Sequence, residues 1–358
     1  MKSQQPARRR RLAGLPFGAM AAVALVDLLA GPEIGFLALF SLGPAFACVN
    51  GTVRRALAVG ALAFLLCLCV AWYDDLLDTR RAAVALATVA GVTGAAALAA
   101  TLRRRFEREL ADVRSVAEAA QRVLLRPVPR RAGRMRVAVS YTSAAAEARI
   151  GGDLYEVVLT PSGSTRVIVG DVQGKGLEAV ETAALVLGAF REAAPDEPAL
   201  DAVGARLERA LNRRLEGEEF VTAVLAEVDT DHTVTLLDYG HPAPLLLRGD
   251  GTVQFAEPPL DAPPLGLAAL GPDGPQAYQV ELAPGDQMLL YTDGVTEARD
   301  ARGCFYPLER RAFLLKDDDP DSALEALRRD LVDHTAGPLK DDAAMLLLRY
   351  RDEGVAVR

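Results

Sequence analysis

Four short stretches place an aspartate beside glycine or at the end of an apolar run. They are Gly151-Gly152-Asp153, Gly170-Asp171-Val172-Gln173-Gly174-Lys175-Gly176, Tyr291-Thr292-Asp293-Gly294 and Lys340-Asp341-Asp342. A carboxylate fixed at a strand end is rigidly aimed, and a neighbouring glycine lets backbone and solvent come close. Hard cations such as Mg²⁺ and Mn²⁺ take oxygen ligands, usually a few carboxylates completed by water. Four aspartates at four strand ends are enough for two such ions. One Asp-Gly alone is a turn signal; the combination carries the specificity. A different metal chemistry has little to work with. The chain has only His232, His241 and His334, and its four cysteines (Cys48, Cys67, Cys69, Cys304) form no Cys-x-x-Cys pair. A zinc knuckle or disulfide framework is therefore not expected, and the soluble part is expected in reducing surroundings.

The elements that must carry these aspartates begin after residue 134. Strands are expected at Met135–Tyr141, Asp153–Leu159, Arg166–Val172, Val221–Val228, Thr233–Tyr239, Ala277–Leu282, Gln287–Thr292 and Ala344–Tyr350. Helical patterns fill Leu177–Ala193, Leu200–Leu215 and Asp321–Thr335. Strands in runs with helices between them indicate an α+β domain, antiparallel sheets covered by helices. Residues 103–126 lack Pro and Gly and read as a helical connector, ended by Pro127 and Pro129. Phe106, Leu110, Val113, Ala117, Ala120 and Leu124 form a heptad seam in it. That seam suits either pairing of two chains as a coiled coil or packing on its own domain.

The first hundred residues are of another kind. The chain is 51 % apolar yet 25 % charged, with a net charge of −8. Residues 1–102 hold 9 Lys/Arg against 5 Asp/Glu, net +4, so the remainder carries −12. Apolar stretches at 12–30, 34–49, 56–72 and 82–102 are expected as four transmembrane helices. Arg8–Arg11, Arg54-Arg55 and Arg103–Arg105 place both termini and the soluble domain on the cytoplasmic side of the inner membrane. Arg80-Arg81 violates that rule, diluted by Asp74, Asp75 and Asp78. A cleaved signal peptide explains only the first stretch. Asp27, near the outer end of the first stretch, is a candidate for snorkelling or helix pairing. The acidic soluble part is a poor partner for nucleic acid, whose phosphates need Lys and Arg.

The blocks Arg149-Ile-Gly-Gly-Asp-Leu-Tyr-Glu156, Gly170–Gly176, Asp238-Tyr-Gly-His-Pro-Ala-Pro244, Pro264-Leu-Gly266, Pro284-Gly-Asp286, Tyr291-Thr-Asp-Gly-Val-Thr-Glu-Ala298 and Asp341-Asp342 occur in that order. Together they resemble the SpoIIE/RsbU-type phosphatases, the bacterial branch of the metal-dependent PPM (type 2C) serine/threonine protein phosphatases. The resemblance covers about residues 120–350, and Gln121–Leu125 is similar to the family's helical lead-in. It implies an α-β-β-α sandwich over residues 127–358 with two Mn²⁺ or Mg²⁺ ions in a cleft. It implies that Asp171 bridges the ions with the Val172 carbonyl beside it, that Asp153 helps hold the cluster, and that Asp293 and Asp341 bind the second ion. Asp342 is the alternative to Asp341. A metal-activated water would then displace the serine or threonine alkoxide in line, without a covalent enzyme intermediate. The family's usual substrates are phosphorylated STAS-type anti-anti-sigma proteins, which would make the chain a membrane-anchored signalling phosphatase.

Two positions depart from the family pattern. Glu156 stands where Asp is frequent, and Tyr306-Pro307 where Phe-Gly is common. Those departures keep a catalytically weak scaffold or sensor module in view. A GGDEF-like nucleotide cyclase would explain Gly151-Gly152-Asp153 but none of the other blocks. Lys175 is either a contact for substrate phosphate or a solvated loop lysine. His241 in its Gly-His-Pro turn reads as structural rather than as an acid. Asp317-Asp318-Asp319 reads as a solvated loop and helix cap rather than a metal site.

Overall fold

The computed structural model describes residues 4–30, 36–50, 52–143, 152–214, 219–231, 233–268, 274–335, 337 and 339–350. The chain divides into two compact units, Met1–Val113 and Arg114–Arg358. Gly151, Arg149, Ile150 and His232, named above, lie outside the described residues.

In the first unit, α1 (Gln4–Ala30), α2 (Leu42–Asn50), α3 (Val53–Tyr73) and the first part of α4 (Arg80–Leu124) surround a small apolar core. Small residues let α3 and α4 approach closely. Ala56, Gly60, Ala63, Cys67 and Ala71 are buried along one stripe of α3, and a Cβ on Gly60 would lie 2.1 Å from the Thr93 methyl. The expectation of four membrane spans is matched in part. Among the described residues Val53–Tyr73 and Arg80–Glu109 are long and apolar enough to cross a bilayer, whereas Gly14–Asp27 and Leu37–Cys48 are shorter. The second stretch breaks into a 3₁₀ turn, Leu37–Ser41, followed by the nine residues of α2. At 1.5 Å per residue α2 is roughly 14 Å long, against about 30 Å of hydrocarbon. Asp27 is buried and accepts the Phe36 backbone N–H at 3.0 Å.

The connector is not a separate helix. It continues α4 without interruption to Leu124. The seam is partly used within the chain: Ala120 and Leu124 pack on Val180, while Phe106 is exposed. The side chains of Leu110, Val113 and Ala117 are outside those described.

The second unit is a four-layer sandwich. One sheet has the order β1-β2-β11-β10-β7-β8 (Arg131–Ala132, Met135–Thr142, Ala343–Tyr350, Gln287–Tyr291, Leu245–Leu247, Val253–Phe255). The other runs β3-β4-β5-β6-β9 (Leu154–Leu159, Thr165–Val172, Val221–Val228, Thr233–Tyr239, Tyr278–Glu281), and all neighbours are antiparallel. The alternation of side chains builds the layers. Val167, Val169, Val224 and Ala226 face Met288, Leu290, Leu346 and Leu348 between the sheets. Ile168, Ala223 and Leu225 point the other way, under α5 (Leu177–Asp196) and α6 (Leu200–Asn212). Leu289, Met345 and Leu347 point outward under α9 (Pro320–His334). Because both faces are covered, the central strands are largely apolar rather than alternating. The expected strands are all present within a few residues. The pattern did not announce β7 and β8, of three residues each, or the one-turn helices α7 (Asp293–Thr296) and α8 (Leu308–Arg311).

Arg166, buried in β4, ties the second sheet to its helical layer. It donates to the Ala194 and Glu197 carbonyls at 2.8 and 2.6 Å and pairs with Glu227 at 3.1 Å. Replacing it by alanine strands a carboxylate and the helix-end carbonyls. Arg166→Ala should cost about 3–5 kcal/mol, read as a lower Tm in a thermal melt.

Candidate functional site

Antiparallel pairing gathers the aspartates at one end of the sandwich. Asp171 lies at the exit of β4, beside the entry of β3, where Leu154 pairs with Gly170 and Asp153 immediately precedes. Asp293 follows the exit of β10, beside the entry of β11, where Tyr291 pairs with Met345 and Asp341-Asp342 precede. Two glycines allow the close approach. A Cβ on Gly152 would lie 2.5 Å from the Val172 carbonyl oxygen, and one on Gly294 would lie 1.7 Å from that of Asp342.

Each carboxylate has a distinct setting. Asp153 is buried, and its Oδ2 accepts the Thr292 hydroxyl at 3.0 Å. Thr292, wholly buried, also accepts the Ala344 N–H at 3.0 Å, so one hydroxyl knots both sheets beneath the site. Asp342 is buried and accepts the Tyr141 hydroxyl. Asp341 is half-exposed and pairs with Lys175 at 2.6 Å. Lys175 sits between Gly174 and Gly176, both at φ near +100° (100° and 98°), a left-handed turn suited to glycine. Val172 donates its N–H to the Gly152 carbonyl at 3.2 Å.

The carboxylates feel one another. Burial, then Asp293 and Asp341, push the Asp171 carboxyl up to about 7, with Lys175 opposing. Burial, then Asp171 and Asp342, raise Asp153 well above the carboxylate range. Burial, then Asp341 and Glu297, raise Asp293. Among the described residues no three His, Cys, Asp or Glu side chains are already closed into a metal-ligand cluster. Asp341, Asp153 and Asp342 are instead engaged with Lys175, Thr292 and Tyr141. The donor set nevertheless suits hard divalent cations. It is all oxygen, it is crowded enough to raise its own protonation, and a cation would relieve that repulsion. Asp171, Asp293 and Asp341, with the Val172 carbonyl, could hold such ions, and Asp153 backs them from below.

His241 is a strut. Its Nε2 donates to the Tyr291 carbonyl at 3.0 Å, and its Nδ1 accepts from the Thr222 hydroxyl at 3.1 Å. Thr222 pairs with Asp171 across β4 and β5, so the ring links β5, the neighbour of the strand bearing Asp171, to the end of β10 just before Asp293. Burial lowers its pKa to about 4, which keeps it neutral and supports the structural reading. Glu156 points into a buried pair with Arg191, away from the aspartates' common end of the strands. Tyr306 is buried, donates to Asp330 at 2.7 Å and stacks edge-on with His334, anchoring the loop after Asp293 on α9. Asp319 caps α9 by accepting the Ser322 N–H at 3.1 Å. Sequence reasoning missed Thr292 and Tyr141 as supports. The signal for Thr292 was its position before Asp293; Tyr141 carries none, since its partner is 201 residues away.

Solved structures with this fold include PP2C phosphatase domains. The SiaA PP2C domain of Pseudomonas aeruginosa matches at 20 % identity and TM-score 0.56, covering 68 % of this chain and 98 % of that one. The PP2C domain and regulatory fragment of SpoIIE from Bacillus subtilis matches at 18 % and TM-score 0.53, covering 60 % of this chain. The RsbU and RsbW domains of a Mycobacterium tuberculosis protein match at 25 % and TM-score 0.52, covering 61 % of this chain. This chain spans 63 % of the SpoIIE chain and 60 % of the RsbU–RsbW chain. The stage II sporulation protein E (SpoIIE) family model matches residues 161–351, and the chain belongs to that family.

Two tests follow from this geometry. In EDTA, the native Asp171 carboxyl keeps its proton up to about 7, whereas the unfolded chain releases it near 3.8. The stability from this group is present below about pH 4 and is lost as pH rises toward 7. Asp171→Asn stays neutral, so its Tm should fall less than the parent's across that window; equal slopes would contradict the assignment. Gly294→Ala forces the Asp293 and Asp342 backbones apart. It should weaken Mn²⁺ binding at least about tenfold by calorimetry while leaving the far-UV circular dichroism unchanged.

Proposed function

We propose that the chain is a metal-dependent serine/threonine phosphoprotein phosphatase, anchored to the cytoplasmic membrane by its N-terminal helices. The observation that carries the reading is the crowding of Asp153, Asp171 and Asp293 with Asp341 and Asp342 at one end of the sandwich, offset by Lys175. Membership of the SpoIIE family supports it. Asp171, Asp293, Asp341 and the Val172 carbonyl would hold two Mn²⁺ or Mg²⁺ ions, with Asp153 helping to hold the cluster. Bound divalent cations supply an acidified water as nucleophile and neutralise the phosphoryl oxygens.

The chain's own residues do the rest. The carboxylates orient the attacking water opposite the seryl or threonyl leaving group. Lys175, on its two-glycine hinge, exchanges Asp341 for a phosphoryl oxygen. His241 and Thr292 hold the ligand-bearing strands in register and take no proton. The substrate is a phosphorylated STAS-type protein of a partner-switching pathway, consistent with the RsbU–RsbW likeness. Pairing of two chains through 103–126 would place two such sites below one membrane patch.

The test is phosphate release by the full chain in detergent from a phosphoserine STAS protein. Mn²⁺ should support release and EDTA should abolish it. Asp171→Asn should lower kcat about a hundred- to a thousandfold, the scale on which one preorganised charge-stabilising group acts. Release that ignores chelation, or that survives the substitution, contradicts the mechanism. A cyclic dinucleotide product would point to a cyclase instead.

A further inference from the structure

Gln121, Tyr141 and Asp342 come from three distant places in the chain and meet in one hydrogen-bonded line. Gln121 lies in the last turn of α4 and is buried. Its Nε2 donates to the Tyr141 hydroxyl oxygen at 2.8 Å. Tyr141, near the exit of β2, gives its only hydroxyl proton to Oδ2 of Asp342. The register places Tyr141 opposite Ala344, at the same end of the sheet as Asp293 and Asp341. Asp342 directly follows Asp341 at the entry of β11, beside the exit of β10. A second fastening holds the same turn. The Leu124 carbonyl accepts from Arg191 at 2.8 Å, and Arg191 pairs with Glu156 in β3, three residues beyond Asp153.

The chemistry of the line is directional. A phenol that donates to a carboxylate becomes a better acceptor, so the Gln121 amide and the Asp342 carboxylate strengthen one another's bond to Tyr141. One oxygen of Asp342 is thereby held by Tyr141, and its neighbour Asp341 is the carboxylate paired with Lys175. We propose that Gln121 and Tyr141 are positioning residues through which the last turn of α4 fixes Asp342, and so decides which aspartate of the Asp341-Asp342 pair serves the metal centre. The proposal rests on the metal-centre reading above. Neither residue touches substrate or metal.

The full chain in detergent carries the test, with Mn²⁺ binding followed by calorimetry and phosphate release alongside. Tyr141→Phe keeps the ring and loses the proton. It should bind Mn²⁺ about tenfold more weakly, the scale of an outer-shell partner, with kcat reduced and KM for phosphoprotein unchanged. Gln121→Glu keeps length and shape but replaces a donor by a group that competes for the Tyr141 proton. It should weaken Mn²⁺ binding in the same way, whereas Gln121→Asn, retaining the donor, should recover part of the loss. In the Tyr141→Phe background, Gln121→Glu should add nothing, because its only route to Asp342 is gone. If the parent binds Mn²⁺ and Tyr141→Phe binds it equally well, or if the two losses multiply, the relay is wrong. A parent that binds no Mn²⁺ overturns the metal reading and the relay with it. Unchanged circular dichroism in each variant separates these outcomes from loss of fold.

Discussion

Carboxylates repel, and this fold gathers five of them at one end of a sandwich. Asp153 and Asp342 are buried there, and Asp171 and Asp293 are partly so. Burial alone disfavours the charged form, and each neighbour adds to the cost. The surrounding architecture reads as the means of sustaining that arrangement. Gly152 and Gly294 bring backbones within reach, Thr292 ties the two sheets beneath Asp153, and His241 links β5, beside Asp171, to β10, beside Asp293. The price in stability is offset by three apolar layers whose central strands are covered on both faces.

Much of this is legible in the sequence because it is local. A glycine beside an aspartate at the end of an apolar run is a short-range pattern, and so are the strands Arg166–Val172 and Gln287–Tyr291 that carry two of the motifs. The order of those motifs carries the family resemblance, and that resemblance implies the sandwich. What does not show in the sequence is non-local. No spacing rule joins Gln121 to Tyr141 or Tyr141 to Asp342, since only the β2–β11 register brings them together. The half-buried Arg191 reads as an ordinary helical arginine until its partners Glu156 and Leu124 are known. Likewise, an apolar stretch counts as a span only if one helix runs through it, and Leu37–Cys48 is divided between a 3₁₀ turn and α2.

The departures from the family pattern acquire physical roles. Glu156 is long enough to reach Arg191, so the pair fastens β3 to α5 and to the end of α4. Tyr306 offers both an aromatic face to His334 and a hydroxyl to Asp330, fixing the loop that follows Asp293. Neither change removes an oxygen from the aspartate cluster. Lys175 acquires a role of the same kind. As the cation paired with Asp341, between two glycines of positive φ, it occupies the place that the proposed metal chemistry would claim.

The central claim is that the aspartate end of the sandwich exists to hold divalent cations. Anomalous diffraction at the manganese edge from crystals grown with Mn²⁺ tests it most directly. The account expects a pair of peaks bounded by Asp171, Asp293 and Asp341, with Lys175 displaced from Asp341 and Asp342 still on Tyr141. A well-ordered site with no anomalous density, or with Lys175 still bound to Asp341 at saturating Mn²⁺, would contradict it.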